Sequence, residues 1–301
     1  MADGVLALTL VDPAGGPLPA WKPGAHVDLA LRPGLVRQYS LCGDPDDHTC
    51  YRIAVLLEPD GRGGSRYVHE EMAVGSEVEV AGPRNHFELI PAPGYVFVAG
   101  GIGITPLLPM MRAVAAAGLP WQLHYGGRSR SSMAFADEIA GLGGAVRLVP
   151  EDERGRLDVV GLAAAVPAGA VVFCCGPEGL IEAMTAVCEG RGIDLRVERF
   201  APRPDAPADV GGDRPVTVEC RRSGVTVEVA ADESILDALR AANVQIFGSC
   251  HEGTCGTCEC EVLEGEPDHR DSLLTEAERQ EGELMFPCVS RALTDRLVLD
   301  V

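Results

Sequence analysis

The sequence has little positive charge to offer a polyanion. Of its 301 residues only 25 are lysine or arginine, and Lys22 is the single lysine. With 45 acidic residues, the net charge is −20. Nucleic acids and anionic membrane surfaces are bound by basic faces, so we expect neither as a partner. The surface that would complement this negative charge is a basic patch on another protein.

The chain also lacks an unbroken apolar run that could span a membrane. Residues 89–111 are uncharged, but four prolines and four glycines divide them into strand, loop and helix start. Pro167, Gly169 and Gly176 interrupt residues 159–177 in the same way. The first ten residues have no basic start and no long apolar stretch, so we expect no signal peptide. We expect a soluble, cytoplasmic monomer.

Cysteine, in contrast, is plentiful, with eleven residues, and without a secretion signal disulfides are not expected. Three cysteines near the carboxyl end have the spacing C-x4-C-x2-C, and a fourth follows after 29 intervening residues. This is the plant-type spacing of a [2Fe–2S] cluster, whose two irons are held by four thiolates. The predicted ligands are Cys250, Cys255, Cys258 and Cys288.

Two alternatives concern the same region. A zinc site could use the same four thiolates, although such sites usually contain two C-x2-C pairs and Cys288 has no close mate. Cys260 lies two residues beyond Cys258 and competes with it as a ligand. The spacing from Cys255 favours Cys258, so we expect Cys260 to face a core from a strand.

Changes of pattern along the chain predict three domains and a linker. Residues 1–92 contain short alternating apolar runs, typical of an antiparallel barrel or sandwich, and we expect a β-barrel. Residues 93–202 alternate strands with helices, which predicts a parallel sheet covered on both faces. Residues 203–213, rich in Pro, Gly and Asp, predict a linker, with an ordered docking strip as the alternative. Residues 214–301 form the cysteine-bearing domain.

The apolar periodicity also predicts individual elements. In the first region strands are expected at residues 5–11, 26–31, 51–57 and 77–81. In the second, strands at 95–99, 122–125, 145–149, 170–174 and 194–199 alternate with helices at 106–117, 134–140, 159–165 and 178–191. In the third, strands are expected at 216–219 and 226–229 and a helix at 235–242.

A glycine-rich turn follows the first strand of the predicted parallel sheet. Gly101 and Gly103 would let a pyrophosphate approach the backbone at the start of the next helix. Thr105 is a candidate helix cap and Pro106 a candidate first helical residue. Pro106 replaces the last glycine of the Rossmann fingerprint, and no acidic residue follows about 20 positions later. A purely structural turn is therefore the alternative.

A second glycine turn follows the strand at residues 170–174, and both turns should meet at the carboxyl edge of the sheet, where ligands bind. The motifs AGGIGITP and CCGPEGLIEAM resemble the pyridine-nucleotide domain of the ferredoxin–NADP reductase superfamily. The resemblance implies contacts to the dinucleotide from Gly101, Gly103, Thr105, Arg128, Ser129, Cys175, Gly176 and Pro177. Cys175 has a plain core thiol as its alternative, and Cys174 should point to the opposite face.

The segment RQYS at residues 37–40 resembles the R-x-Y-S flavin signature of the same superfamily. Arginine can neutralise a phosphate, an aromatic side chain can lie beside the flavin, and a hydroxyl can hydrogen-bond the ring edge. GRGGS at residues 61–65 offers N–H groups to a phosphate, with a hairpin tip as the alternative. The resemblance implies a flavin site of Arg37, Tyr39, Ser40, Ala54, Val55, Gly63, Gly64, Ser65 and Phe200. Core packing is the alternative for Phe200.

The whole chain, in the order flavin, nicotinamide, ferredoxin, resembles the phthalate dioxygenase reductase and vanillate demethylase reductase family. GSCHEGTCGTCECEVLEG and FPCVSRA carry the ferredoxin part, which implies a β-grasp domain. The resemblance implies FMN rather than FAD, and NADH rather than the NADPH that Arg128 could accept. It implies hydride transfer from NADH to FMN, then single electrons through the cluster to a terminal oxygenase. No catalytic side chain is assigned.

The partner is expected to dock on the acidic ferredoxin domain, since residues 213–301 contain 19 acidic and 8 basic residues. A Rieske-type oxygenase is the expected partner, and a cytochrome P450 is the alternative. Alternatives of other classes are an electron carrier without NADH turnover and a flavin oxidase that uses oxygen. The visible spectrum and NADH turnover distinguish these functions.

Overall fold

The computed structural model describes residues 2–203 and 214–301, so the predicted linker lies, apart from Arg203, outside the described residues. The chain divides into two compact units, Met1–Glu198 and Arg199–Val301. In the described parts of the chain, no helix is both long and apolar enough to cross a bilayer.

The first unit opens with antiparallel strands around an apolar core. Its elements are β1 (Val5–Leu10), β2 (His26–Arg32), β3 (Leu35–Ser40), β4 (Tyr51–Leu56), α1 (Gly64–Glu70) and β5 (Glu79–Arg84). Strand β1 pairs with β4, and β2 lies between β3 and β5. Val27, Leu29 and Ile53 are fully buried in this core. The arrangement is the predicted antiparallel barrel.

A parallel sheet completes the first unit. It contains β6 (Tyr95–Gly100), a 3₁₀ turn (Gly101–Gly103), α2 (Ile104–Ala116), β7 (Trp121–Gly127), a second 3₁₀ turn (Arg130–Ser132), α3 (Ala136–Ala140), β8 (Ala145–Pro150), α4 (Glu151–Arg154), α5 (Val159–Ala164), β9 (Val171–Cys175), α6 (Glu178–Glu189) and β10 (Leu195–Glu198). The strand order is β10-β9-β6-β7-β8. Strands β7 and β8 are added on one side of β6, and β9 and β10 on the other side. The topological switch point of the sheet therefore lies between β6 and β9, and open α/β sheets bind ligands at such a point.

Side chains of the parallel sheet enter two separate cores. Cys175 and Phe97 belong to the core that also contains helix α2, whereas Cys174 and Val98 belong to the core that contains helix α6. Both cysteines are fully buried. The predicted alternation of Cys174 and Cys175 is therefore confirmed, and it follows from the two-residue period of a strand.

The second unit is a mixed sheet with one packed helix. Its elements are β11 (Val216–Cys220), β12 (Val225–Val229), α7 (Ile235–Ala241), β13 (Cys260–Glu264), β14 (Pro267–Asp268), α8 (Glu276–Glu281), β15 (Leu284–Met285), β16 (Arg291–Ala292) and β17 (Arg296–Leu299). The main strand order is β12-β11-β17-β13-β15, with β11 and β17 parallel. Ser234 caps α7 by accepting from the Asp237 N–H at 3.0 Å. This is the predicted β-grasp arrangement.

Two local interpretations were wrong. The GRGGS segment is not a hairpin tip, because Gly64 begins helix α1. Thr105 does not cap α2, because the 3₁₀ turn runs directly into a helix that starts at Ile104. The Thr105 hydroxyl lies inside that helix and donates to the Ile102 carbonyl at 2.9 Å, so Pro106 is not the first helical residue.

Candidate functional site

The two glycine turns of the parallel sheet pack backbone against backbone. A Cβ atom at Gly103 would lie 2.3 Å from the Cys175 carbonyl oxygen, and one at Gly100 would lie 2.5 Å from Cδ of Pro177. These glycines are required by the contact between the turns. Gly101 differs, because it has a φ of +55° and a Cβ atom placed there would meet no other atom within 4 Å. Gly101 therefore faces open space beside the start of α2.

Three polar side chains converge at the carboxyl edge of this sheet. Glu198 is paired in register with Cys175 across β10 and β9. The Ser40 hydroxyl, at the end of β3, lies 3.4 Å from Glu198 Oε2 and donates to it. The structure thus brings Ser40 and Cys175, both predicted to contact cofactors, to the same carboxylate.

Glu198 was not predicted as a site residue. Burial raises its pKa from 4.5 to about 8, and the hydrogen bond from Ser40 partly opposes this. Burial, and then the Glu198 charge, raise the pKa of the Cys175 thiol well above its ordinary value. Phe200 is 47% exposed and belongs to the second unit, so it is not a core residue.

The predicted phosphate residues of the flavin site lie together at the start of α1. Arg37 Nη2 donates to the Arg62 carbonyl at 2.9 Å, and a Cβ atom at Gly64 would lie 2.5 Å from Arg37 Cγ. Gly63 precedes the helix with a φ of +83°. Ser65 Oγ accepts from the Glu58 N–H at 3.0 Å. An arginine therefore lies against the N–H groups that begin a helix, which suits an anion.

The other predicted flavin residues lie on strands β3 and β4. Tyr39 is half-buried, and burial raises the pKa of its phenol to about 12. Ala54 and Val55 are buried, and the Val55 carbonyl is 2.9 Å from Nε2 of His69. These three residues offer an aromatic ring and small apolar side chains, and none of them is charged.

The predicted ribose loop follows β7, next to the central strand. Arg128 is exposed, and its carbonyl accepts from the Asp152 N–H at 3.1 Å. The Ser129 N–H donates to Ser132 Oγ at 3.1 Å. Hydrogen bonds at Arg128 and at Ser129 therefore fix the backbone of this loop, while the Arg128 side chain extends into solvent.

An ionic cluster joins the barrel to the helices of the parallel sheet. Arg112 on α2 donates to the Gly43 carbonyl at 2.6 Å and pairs with Glu138 on α3. Glu138 also pairs with Arg52 of β4 at 3.0 Å, and the Arg52 guanidinium lies 4.8 Å from the Phe135 ring centroid. We name Arg52, Arg112 and Glu138 the clamp. It fixes α2, whose first turn adjoins the glycine loop, relative to the barrel.

All eleven cysteines lie among the described residues, and none of them forms a disulfide. The four predicted ligands contact one another. Cys250 contacts Cys255 and Cys288, and Cys288 also contacts Cys258. The hydrogen bonds between them lower the pKa of Cys250 and Cys258 and raise the pKa of Cys255 and Cys288. Ionising all four together requires a cation, which suits iron.

Backbone and hydroxyl groups point at these sulfur atoms. The Glu252 N–H donates to Cys250 Sγ at 3.3 Å, and Thr257 Oγ1 lies 3.0 Å from Cys255 Sγ. Hydrogen bonds to the sulfurs are a property of iron–sulfur sites. Cys260 lies apart, in the core of the sheet, where its thiol donates to the Met285 carbonyl. The prediction that Cys260 faces the core is confirmed.

Known proteins match both parts of the chain. Residues 218–293 match the family described as a 2Fe-2S iron-sulfur cluster binding domain. The phenoxybenzoate dioxygenase subunit beta of Ectopseudomonas oleovorans is 46% identical over all of this chain and 94% of its own length. Phthalate dioxygenase reductase, described as modular for electron transfer from pyridine nucleotides to [2Fe-2S], is 36% identical with a TM-score of 0.68. That match covers 100% of this chain and 94% of the other.

The chain belongs to the phthalate dioxygenase reductase family. Like that family, it is an oxidoreductase that takes electrons from NADH through FMN to a [2Fe–2S] cluster. An intact type IV self-sufficient cytochrome P450 monooxygenase is also similar, with 48% identity and a TM-score of 0.91. This chain spans 39% of the length of that fusion. The same reductase architecture therefore occurs both as a separate subunit and within a fusion.

Proposed function

We propose that this reductase supplies single electrons to a terminal oxygenase, and that the predicted site residues bind its flavin, its dinucleotide and its cluster. The observation that carries the proposal is the meeting of Ser40 and Glu198 from the two halves of the first unit beside Cys175. A nicotinamide stacked at the switch point would lie against Cys175, Gly176 and Pro177. The barrel would present the flavin from the opposite side.

The flavin residues divide into those that bind phosphate and those that shape the ring site. Arg37, with Gly63, Gly64 and Ser65 at the start of α1, would hold the FMN phosphate by charge and N–H groups. Tyr39, Ala54 and Val55 would contact the ring and ribityl chain, and Phe200 would cover the ring. All of these residues bind the flavin and take no part in bond making or breaking.

Glu198 is the residue that can hold a proton at this site. With its pKa raised to about 8, its carboxyl is mostly protonated near neutral pH. Ser40 would relay hydrogen bonds between Glu198 Oε2 and the flavin edge. When bound, FMN would supply the chemistry that converts one hydride into a proton and two electrons, the electrons being passed on one at a time.

The dinucleotide would extend from the switch point along the glycine loop. Gly101, with open space around it, and Gly103 would admit the pyrophosphate at the start of α2, with Thr105 buried beneath. Arg128 and Ser129 would contact the adenosine ribose. Cys250, Cys255, Cys258 and Cys288 would ligate the two irons, and we propose the domain boundaries 1–92, 93–202 and 214–301 with a linker at 203–213.

A Rieske-type oxygenase is the first candidate partner, because curated relatives over the full chain are reductase subunits, among them those of carnitine monooxygenase and phthalate 4,5-dioxygenase. A cytochrome P450 is the second, because the reductase part of a self-sufficient P450 is 48% identical. The acidic ferredoxin domain would attract a basic face of either partner. We place the protein in the cytoplasm, since its cysteines, all of them described, form no disulfide and NADH is its donor.

The test begins with the purified protein and its cofactor content. We expect FMN after denaturation, two irons per chain, and rapid anaerobic bleaching by NADH. FAD, zinc in place of iron, or a spectrum that NADH does not bleach would contradict the proposal. Reconstitution with a Rieske oxygenase and with a P450, each at low and high ionic strength, then separates the two partners.

A further inference from the structure

The segment that follows strand β3 is fixed inside the barrel. Strand β3 ends at Ser40, and the next two residues, Leu41 and Cys42, are fully buried. The Leu41 N–H donates to the Ala25 carbonyl at 2.8 Å, and the Cys42 N–H donates to the Arg52 carbonyl of β4 at 2.8 Å. A displacement of this segment would therefore also move Ser40 and the two strands that carry the proposed flavin-ring residues.

Helix α2 connects this segment to the glycine turn of the parallel sheet. Arg112 Nη1 donates to the carbonyl of Gly43 at 2.6 Å and to that of Cys42 at 3.3 Å. Along the helix, Arg112 lies about 12 Å from Ile104, the first residue of α2. Every residue from Ile104 to Met111 is buried. One buried helix therefore links backbone carbonyls just beyond β3 to the turn that is proposed to hold the pyrophosphate.

Glu138 of α3 completes the clamp from a third element. Its carboxylate pairs with Arg112 and, at 3.0 Å, with Arg52, and the three side chains are at most 30% exposed. Burial and then the charge of Arg52 lower the pKa of Arg112, so two guanidinium groups repel each other beside one carboxylate. A single arginine would avoid this repulsion but would join only two elements. The second arginine allows the carboxylate to join β4, α2 and α3 at one point.

Phe135, the residue before α3, has a strained backbone. Its φ is +61°, in the left-handed region that side chains rarely adopt. Its buried ring lies with its centroid 4.8 Å from the Arg52 guanidinium carbon. Strain of this kind persists only where the surrounding contacts determine the conformation, and it is concentrated at functional sites. Since Glu138 follows in the first turn of α3, the strained residue and its cation–π contact both help to place the clamp carboxylate.

We propose that the clamp aligns the nicotinamide with the flavin, and that Arg112 is a positioning residue for hydride transfer. This inference rests on the proposed function. In that reaction the C–H bond at nicotinamide C4 breaks and a bond to flavin N5 forms, which yields NAD⁺ and the anionic reduced flavin. Arg112 takes no part in this exchange. It acts by setting the distance between the end of β3, where Ser40 lies, and the start of α2.

Hydride transfer is more sensitive to this distance than dinucleotide binding is. The reacting atoms must approach to about 3–3.5 Å, and a misplacement of about 1 Å can slow a reaction about 100-fold. The proposed pyrophosphate and ribose contacts all lie on the parallel sheet, so they persist when the sheet shifts slightly against the barrel. Loss of the clamp should therefore lower the limiting rate of hydride transfer and leave the affinity for NADH nearly unchanged.

The test uses the full holoprotein, mixed with NADH in an anaerobic stopped-flow instrument. The dependence of flavin bleaching on NADH concentration gives the limiting rate constant and the dissociation constant separately. Arg112→Met should lower the limiting rate constant about tenfold or more and change the dissociation constant less than about threefold. Arg112→Lys should restore part of the rate, since an ammonium group can still donate to the Gly43 carbonyl. Arg191→Met is the matched control, because Arg191 is exposed and follows α6 at the edge of the sheet opposite the switch point.

A second measurement reports the alignment without a rate. NAD⁺ added to the fully reduced protein should give a long-wavelength charge-transfer absorbance where the nicotinamide stacks on the flavin, and this band should be weaker in Arg112→Met. Glu138→Gln keeps the shape of the clamp carboxylate and removes its charge, so it should change both measurements in the same direction. It takes the place of Arg112→Met if that variant does not retain flavin.

Equal limiting rate constants in the wild type and in the clamp variants overturn the inference, and the proposed function then still stands. A loss of NADH affinity as large as the loss of rate, with an unchanged charge-transfer band, also overturns it, because the clamp would then only support the dinucleotide site. A wild-type protein that NADH does not reduce refutes the proposed function itself, and the clamp then has no hydride transfer to align.

Discussion

Cys258 and Cys260, two residues apart, have different surroundings. Cys258 contacts Cys288 and packs in the small cluster with Leu236 and Phe286. Cys260 is 6% exposed on β13 and packs in the main core of the sheet. Burial is the largest cause of the raised pKa of Cys260, which keeps that thiol protonated. Of the two, only Cys258 contacts another proposed ligand.

Replacing these cysteines by serine should give opposite results. Cys258→Ser should lose the cluster, because a serine oxygen replaces a thiolate poorly as an iron ligand. Cys260→Ser should keep it, with some loss of stability from a buried hydroxyl. Iron content and visible absorbance after purification measure both. Retention in Cys258→Ser together with loss in Cys260→Ser would contradict the assignment.

Glu198 predicts a characteristic dependence of stability on pH. Its folded-state pKa of about 8 lies above the ordinary 4.5, so between these values the folded chain binds a proton that the unfolded chain has released. The resulting stabilisation is complete below pH 4.5 and is lost as the pH rises through 8. Glu198→Gln cannot titrate and should lack this loss.

Thermal unfolding from pH 5 to pH 9 measures the difference. The melting temperature of the wild type should fall with rising pH relative to that of Glu198→Gln. Glu182→Gln, on the exposed side of α6, is the control and should follow the wild type. Parallel curves for the wild type and Glu198→Gln would show that the Glu198 carboxyl is not desolvated in the folded chain.

At the scale of elements, the clamp determines how helix α2 lies on the barrel. Arg112 reaches from the middle of α2 to the carbonyls of Cys42 and Gly43, and Glu138 joins it to Arg52. These contacts join segments that are far apart in the sequence, such as β4 and α3. The glycine loop at the start of α2 therefore has a fixed position relative to the barrel strands.

Arg112→Met should weaken this connection. We expect a loss of about 1–3 kcal/mol, because the Gly43 carbonyl and Glu138 lose a charged hydrogen-bond partner. Unfolding in urea, monitored through the release of the flavin, reports the stability of the first unit. Arg156→Met is the control, since Arg156 pairs with Glu151 while 89% exposed, and exposed pairs contribute little. An equal effect of both substitutions would contradict a role for the clamp.

The elements that sequence periodicity predicts are those whose signal is local. The strands and helices of the parallel sheet lie within about two residues of the predicted ones, because buried strands and amphipathic helices are marked by their own residues. Helix α1 was missed because Gly63 and Gly64, just before and at its first residue, are typical of a turn. The short strands β14, β15 and β16 carry no periodicity and were not assigned.

Separation along the chain decides which site residues a sequence can indicate. Three of the four cysteines, Cys250, Cys255 and Cys258, are close together in the sequence, and their spacing is itself the signal of a cluster. Glu198 and Ser40 are 158 residues apart, so nothing in the sequence indicates that they meet. The clamp was missed for the same reason, because ion pairs between distant elements leave no pattern.

At the scale of the whole molecule, the two compact units divide the chemistry between them. The first unit contains every proposed dinucleotide ligand and all proposed flavin residues except Phe200. The second contains the four proposed iron ligands. We therefore expect a cut between the two units to separate hydride acceptance from single-electron delivery.

Ending the chain after Ala208 should retain one activity and lose the other. The fragment keeps Arg37, Gly103, Cys175, Glu198 and Phe200, so NADH should still reduce ferricyanide, a small acceptor that can reach the flavin. Reduction of cytochrome c should be largely lost, because no cluster remains to deliver electrons to a protein. Equal rates with cytochrome c would show that the cluster is not the relay. A fragment without flavin would place the domain boundary elsewhere.

The interlocked glycine turns limit how the cofactor preference of this enzyme could be redesigned. Any side chain at Gly103 would collide with the Cys175 backbone, and one at Gly176 would lie 2.8 Å from the Gly100 nitrogen. Libraries that vary these positions would yield misfolded proteins rather than new specificities. The exposed loop at Arg128 has no such restriction. An engineer seeking NADPH use should diversify that loop and leave the switch point untouched.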